Sequence, residues 1–173
     1  MRKILAVDQA TITGWAHSDG AYGIWDLRIK KDESNGMRLI RFECKLREVY
    51  NGPGIELIVF ETVSVASGKR ANMESFKFGA KLQAIIERFC EENEVECCSF
   101  HLNTIKKHAL PGKGKRDKAA MVAAAKVKWP DKEIIDDNVA DALWILDLAQ
   151  EDYMGVEGFS VSDIDQRFEH GCD

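Results

Sequence analysis

The sequence predicts an α/β domain: one mixed five-stranded sheet, three antiparallel strands then parallel ones, flanked by helices. Three observations predict it. A buried-looking run, residues 3–8, is followed by two short strand-like runs on either side of Asp19-Gly20, a hairpin pattern. Two later apolar runs, 55–61 and 95–100, each follow a segment with helical periodicity. No internal repeat and no linker composition interrupts the chain, so the elements belong to one domain.

Taken in order, residues 3–8 (Lys3 to Asp8) form a buried strand, and 14–18 and 22–27 complete an antiparallel set. Ser34 is placed to cap a helix running to about residue 50, with Met37, Leu39, Ile40, Leu46 and Val49 as its apolar positions. Asn51-Gly52-Pro53-Gly54 stops it. Residues 55–61 are nearly continuously apolar, as in a central strand covered on both faces. A polar connection over 62–73 contains Ser67-Gly68-Lys69-Arg70. A long helix to about residue 93 and a strand over 95–100 follow. After a basic loop, 117–129 reads as an alanine-rich helix stopped by Pro130, and 137–153 as the last helix. The folded domain therefore spans 1–153, and 154–173 is an acidic C-terminal tail of partly disordered composition.

With 173 residues, 45% of them hydrophobic, the chain can bury a sizeable core. No run approaches a membrane span, and Met1-Arg2-Lys3 leads into a strand rather than a signal peptide. The five cysteines (Cys44, Cys90, Cys97, Cys98, Cys172) contain no C-x-x-C pair and read as reduced thiols of a cytoplasmic protein. Cys97 and Cys98, adjacent in a strand, should face opposite sides. The net charge of −5 is unevenly spread. Lys106, Lys107, Lys113, Lys115, Arg116 and Lys118 stand against Asp117 alone, while eight acids from Asp147 onward face only Arg167. A phosphate-binding patch accounts for the basic cluster, while composition alone favours a solvated loop.

The chemistry-bearing residues are carboxylates in apolar surroundings. Asp8 and Glu61 each close a strand, where open α/β sheets place their ligands. Asp141 lies among Val139, Ala140, Ala142, Leu143, Trp144, Ile145 and Leu146. Buried carboxylates cost free energy unless paired or bound to a cation. Asp137 and Asn138 fall on the helical face of Asp141. Such hard oxygen donors suit Mg²⁺ or Mn²⁺ and not zinc. Two ions roughly 3.5–4 Å apart activate a water and stabilise the leaving oxygen of a phosphodiester. Singly, Asp8 also serves as a turn cap and Asp137 as a helix N-cap.

Val7-Asp8-Gln9-Ala10-Thr11-Ile12-Thr13-Gly14-Trp15-Ala16, the strand closing on Glu61, and Asp137-Asn138-Val139-Ala140-Asp141-Ala142-Leu143 together resemble the RuvC-type Holliday-junction resolvases, nearest in form to the compact phage-like members. The resemblance covers most of residues 1–150. It implies an RNase H-like fold, a homodimer, and Mg²⁺-dependent nicking of four-way or other branched DNA that leaves 5′-phosphates. By position, Asp8, Glu61 and Asp141 would be catalytic metal ligands. The family usually carries an acid or histidine where this chain has Asn138, so Asp137 or Asn138 supplies the fourth ligand. The opening motif, commonly Asp-Pro-Gly, is Asp8-Gln9-Ala10 here.

In this reading Lys106, Lys107, Lys113, Lys115, Arg116 and Lys118 hold strand phosphates, and Lys69 and Arg70 belong to the loop presented to the junction. Gly112-Lys113-Gly114-Lys115 lacks the spacing of a nucleotide-binding P-loop, so no nucleotide cofactor is expected. Other readings are an RNase H-like nuclease acting on flaps, forks or RNA–DNA hybrids, and a non-catalytic branched-DNA-binding module. An actin-like ATPase would need two such domains. The helix carrying Phe76, Phe78, Leu82, Ile85, Ile86 and Phe89 is either the dimer face or a contributor to the protomer's own core.

Overall fold

The computed structural model describes residues 2–63, 73–112 and 114–154. Lys69, Arg70, Lys113, Cys172 and the acidic tail lie outside the described residues. The strands are β1 (Ile4–Asp8), β2 (Ile12–His17), β3 (Tyr22–Asp26), β4 (Leu57–Glu61) and β5 (Glu96–Phe100), in the order β3-β2-β1-β4-β5. β1, β2 and β3 pair antiparallel; β1–β4 and β4–β5 pair parallel. The helices are α1 (Gly36–Asn51), α2 (Met73–Asn93), α3 (Leu102–Ala109), α4 (Lys118–Lys128) and α5 (Asp137–Met154).

Alternation along the strands divides the core in two. Ile4, Ala6, Leu57 and Val59 point to one face, under α3, α4 and α5. Leu5, Val7, Ile58 and Phe60 point to the other, under α1 and α2. β1 and β4 are therefore buried on both sides along their first four residues, and each ends on a carboxylate that is not fully buried. Parallel pairing runs to Val7 opposite Phe60, which leaves Asp8 and Glu61 side by side one step further on.

Several local expectations change. α1 begins at Gly36 behind Asn35, and Ser34 contributes its backbone carbonyl to the Met37 N–H at 3.0 Å rather than a side-chain cap. The segment read as a basic loop is helical at both ends: Lys106 and Lys107 lie on α3, and Lys118 opens α4. α3 is only eight residues long. Its helical state rests on Ile105 and Ala109, one turn apart, docking on the core, a signal too short to show as periodicity. Asp117 does cap α4, accepting from the Ala120 N–H at 2.9 Å. Leu82, Ile86 and Phe89 are wholly buried in the protomer's own core, with Phe78 and Ile85 packed beside them, so this part of the apolar stripe of α2 is core, while Phe76 is half-buried and joins neither core cluster. Cys97 is exposed while Cys98 packs against the first core cluster, on opposite faces as expected. No helix among the described residues is long and apolar enough to cross a membrane.

Candidate active site

The site begins with how close α5 comes to the sheet. Gly14 lies opposite Asp8 in the β1–β2 register. A Cβ built there would sit 1.9 Å from the backbone oxygen of Asn138. Only glycine lets the first turn of α5 lie against β2, and that contact sets Asp141, one turn further on, beside the end of β1. The turn after β1 is fixed as well. The buried Thr13 hydroxyl donates to the Ala10 carbonyl at 2.7 Å, and Gln9 Nε2 donates to the Glu61 carbonyl at 2.5 Å, tying β1 to β4. With Gln9 and Ala10 in place of Pro-Gly, these two bonds hold the turn.

α5 is capped by Asp136, whose Oδ1 accepts from the Val139 N–H at 3.0 Å. Asp137 is thereby released from capping, and its carboxylate pairs with Lys118. The cap expected at Asp137 thus falls one residue earlier, because the Asp136 side chain is the one that reaches the free N–H of the first turn. The Asn138 amide nitrogen donates to Asp136 Oδ2 at 3.2 Å, and the residue lines a cavity beside Gln9.

Electrostatics join the sequence-predicted acids. Burial, followed by the charges of Asp141 and Glu61, holds the Asp8 carboxyl well above the usual carboxylate range. Burial and Asp141 push Glu61 up to about 7, against the opposing Lys106 and Lys118. Burial pushes Asp141 up to about 6, again opposed by Lys118 and Lys106. Asp137 goes the other way, held down by its bond to Lys118. The four acids are thus one coupled set with a deficit of positive charge. A divalent cation with a preference for oxygen ligands would fill that deficit, so the donor set fits Mg²⁺ or Mn²⁺.

The basic residues separate into different roles. Lys106 and Lys118 face the acids. Arg116 is turned inward: its guanidinium donates to the carbonyls of Leu110 at 3.1 Å and Gly112 at 2.5 Å, bracing the loop between α3 and α4. Lys115 pairs with Asp117 at 2.7 Å on the surface. Lys107 is exposed on α3, away from the core-facing Ile105.

A second ionic group was not foreseen. His108, Asp147 and Glu151 form the group of possible metal donors whose ligand atoms, among the described residues, all lie within 4.8 Å of one another. His108 Nε2 is 2.6 Å from Asp147 Oδ2, and Lys128 pairs with the same oxygen. Proximity and electrostatics therefore point to different places. The electrostatics weigh more, because Asp147 already has two cationic or hydrogen-bonding partners and the Glu151 side chain is 66% exposed. The signal for this group was the i, i+4 spacing of Asp147 and Glu151, but His108 lies on another helix and only folding brings it there.

No family model and no curated protein sequence matches the chain. Solved structures do match. Thermus thermophilus RuvC in complex with a Holliday junction substrate aligns with a TM-score of 0.66 at 19% identity, covering 90% of this chain and 97% of that one. Another T. thermophilus RuvC structure aligns at 0.65 and 18% identity, covering 88% and 96%. The yeast mitochondrial Holliday junction resolvase Ydc2 aligns at 0.53 and 13% identity, covering 83% and 75%. At these identities the likeness establishes a shared fold: the chain has the RuvC-type, RNase H-like architecture.

Proposed function

We propose that this protein is a metal-dependent endonuclease of branched DNA, with the four-way junction as its substrate. The observation that carries the reading is the coupled set of part-buried carboxylates, Asp8, Glu61 and Asp141, gathered at the carboxyl ends of two parallel strands by a helix that only Gly14 admits so closely. Structural likeness to resolvases, one of them bound to a Holliday junction, supports the same reading.

Asp8, Glu61 and Asp141 hold the metal, and Asp137 supplies the fourth carboxylate in preference to the neutral Asn138. Two Mg²⁺ ions, replaceable by Mn²⁺, would activate the attacking water and stabilise the 3′-oxygen leaving group, giving 5′-phosphate ends. Lys118, bonded to Asp137, lowers the proton affinity of Asp137 and Asp141 and offsets part of the negative charge gathered there. With Lys106 it forms the rim on which the scissile phosphate rests. Lys107, Lys113, Lys115, Lys69 and Arg70 extend the phosphate-binding track in this reading, with Arg116 bracing its loop. A twofold homodimer would set one such site on each of the two symmetric scissile strands. We read the working compartment as the cytoplasm.

The test is cleavage of a labelled synthetic four-way junction in Mg²⁺ or Mn²⁺, beside linear duplex, flap, fork and RNA–DNA hybrid substrates, with Asp8→Asn as control. Paired symmetric nicks that vanish in the mutant and without metal are expected. Preferential cutting of a flap or hybrid would keep the metal site and change the substrate. Tight junction binding without cutting, indifferent to Asp8→Asn, would make the protein a binding module.

A further inference from the structure

Beside the carboxylates lies a cavity of about 470 Å³, within the range of small-molecule sites. Gln9, Arg38, Glu74, Phe78 and Asn138 are among its lining residues. Two buried side-chain atoms here have no hydrogen-bond partner, Gln9 Oε1 and Arg38 Nε. The orientation of the Gln9 amide is forced, since its nitrogen donates to the Glu61 carbonyl, which can only accept. Its oxygen is therefore a stranded acceptor, a state buried polar groups rarely keep without a partner. The Asn138 nitrogen is likewise committed to Asp136, which leaves Asn138 Oδ1 to accept. The Arg38 guanidinium lies over the Phe78 ring, 5.3 Å from its centroid, a flat cationic and aromatic platform.

We propose that this cavity receives an unpaired nucleobase of the DNA substrate, read through an exocyclic amine. The inference rests on the nuclease reading and adds a base-recognition subsite to it. Gln9 Oε1 lacks a donor and Asn138 Oδ1 is free of its own nitrogen's commitment; the amino group of adenine, cytosine or guanine offers two N–H donors for the two oxygens, whereas the imide of thymine offers one and a phosphate diester none. Bases extruded from a duplex stack on aromatic and guanidinium planes, and a branch point supplies bases that are already weakly stacked. Chain connectivity places the cavity at the scissile site: Gln9 directly follows Asp8, and Asn138 lies one turn before Asp141 on α5.

The first arm of the test follows the side-chain amide NMR signals of Gln9 and Asn138 during titration with dAMP, dCMP, dGMP and dTMP. Saturable shifts are expected from the first three, with dTMP binding about tenfold more weakly for want of the amine. The second arm places 2-aminopurine in turn at each nucleotide around the junction's nicking site, with Ca²⁺ in place of Mg²⁺. A fluorescence rise at one position on protein binding is expected. It should be lost in Arg38→Met and in Ser75→Trp, which fills the cavity from its exposed rim and covers the case in which Arg38→Met does not fold. Amide shifts without junction binding or nicking would sink the nuclease reading and leave the pocket standing. A junction that is nicked while the amides and every 2-aminopurine position stay silent would overturn the pocket alone. Equal response to dTMP would overturn recognition through the amine.

Discussion

Helix α5 carries two carboxylates six residues apart that meet opposite fates. Asp147 is answered by the protein itself, with His108 Nε2 at 2.6 Å and Lys128 on the same oxygen, and the His108 ring meets Trp144 edge-on. Asp141 sits with Asp8 and Glu61, and the two lysines nearby do not offset burial and mutual repulsion. One cluster is satisfied in the folded chain and strengthens it. The other is left wanting a cation, and the fold tolerates the cost because the strands and helix that converge there are anchored elsewhere in the core. A site built to bind something is recognised by what the protein has not supplied.

The sharpest way to break this comparison is Asp141→Asn. Nicking should fall about a thousandfold or more, the order of several kcal/mol of lost transition-state stabilisation. The metal-free variant should nevertheless melt higher than the parent, by about 2 kcal/mol of relieved repulsion and desolvation. A variant that is both inactive and less stable would mean that Asp141 is paired after all.

Gly14→Ala comes next. Its Cβ would meet the Asn138 carbonyl at 1.9 Å, so the start of α5 must move. Overpacking of this kind costs about 1–3 kcal/mol, and chemical denaturation should show it. Because Asp141 moves with the helix, nicking should be lost even under conditions where the variant is fully folded.

The pH dependence separates the clusters without mutation. Glu61 and Asp141 keep their protons up to about 7 and about 6, above the range of an unfolded chain. The folded protein then binds more protons than the unfolded one between about pH 4 and 7, so metal-free stability falls as pH rises through that window, by about 3 kcal/mol for each of the two groups. Mg²⁺ should reverse the trend, raising the melting temperature more at pH 8 than at pH 5.5. Equal stabilisation at both would place the metal away from these acids.

The smallest effect belongs to the satisfied cluster. Asp147→Ala removes a part-buried acceptor shared by His108 and Lys128, and should cost about 1 kcal/mol by thermal unfolding with nicking within about twofold of the parent. A large loss of nicking would assign this second group a part in catalysis.

Much of this was legible in the chain. Apolar runs ending in Asp8 and Glu61 announced two central strands with carboxylates at their ends, and Asp19-Gly20 announced the hairpin, because period-two burial and turn chemistry are local. An acid surrounded by Val139, Ala140, Ala142 and Leu143 could hardly be accidental, since burial without a partner is costly. What local pattern could not reveal was partnership. Asp136, not Asp137, caps α5; Arg116 braces its own loop; His108 meets Asp147 across 39 residues; and the apolar stripe of α2 turns inward. The sequence by itself determined the sheet, its helical layers and the acids at the strand ends, through alternation and desolvation read residue by residue. The tertiary structure alone decided which charges find counterions and which are left for a ligand. Such pairing depends on distances of a few ångströms between residues far apart in the chain, and here on one glycine that lets a helix touch a strand.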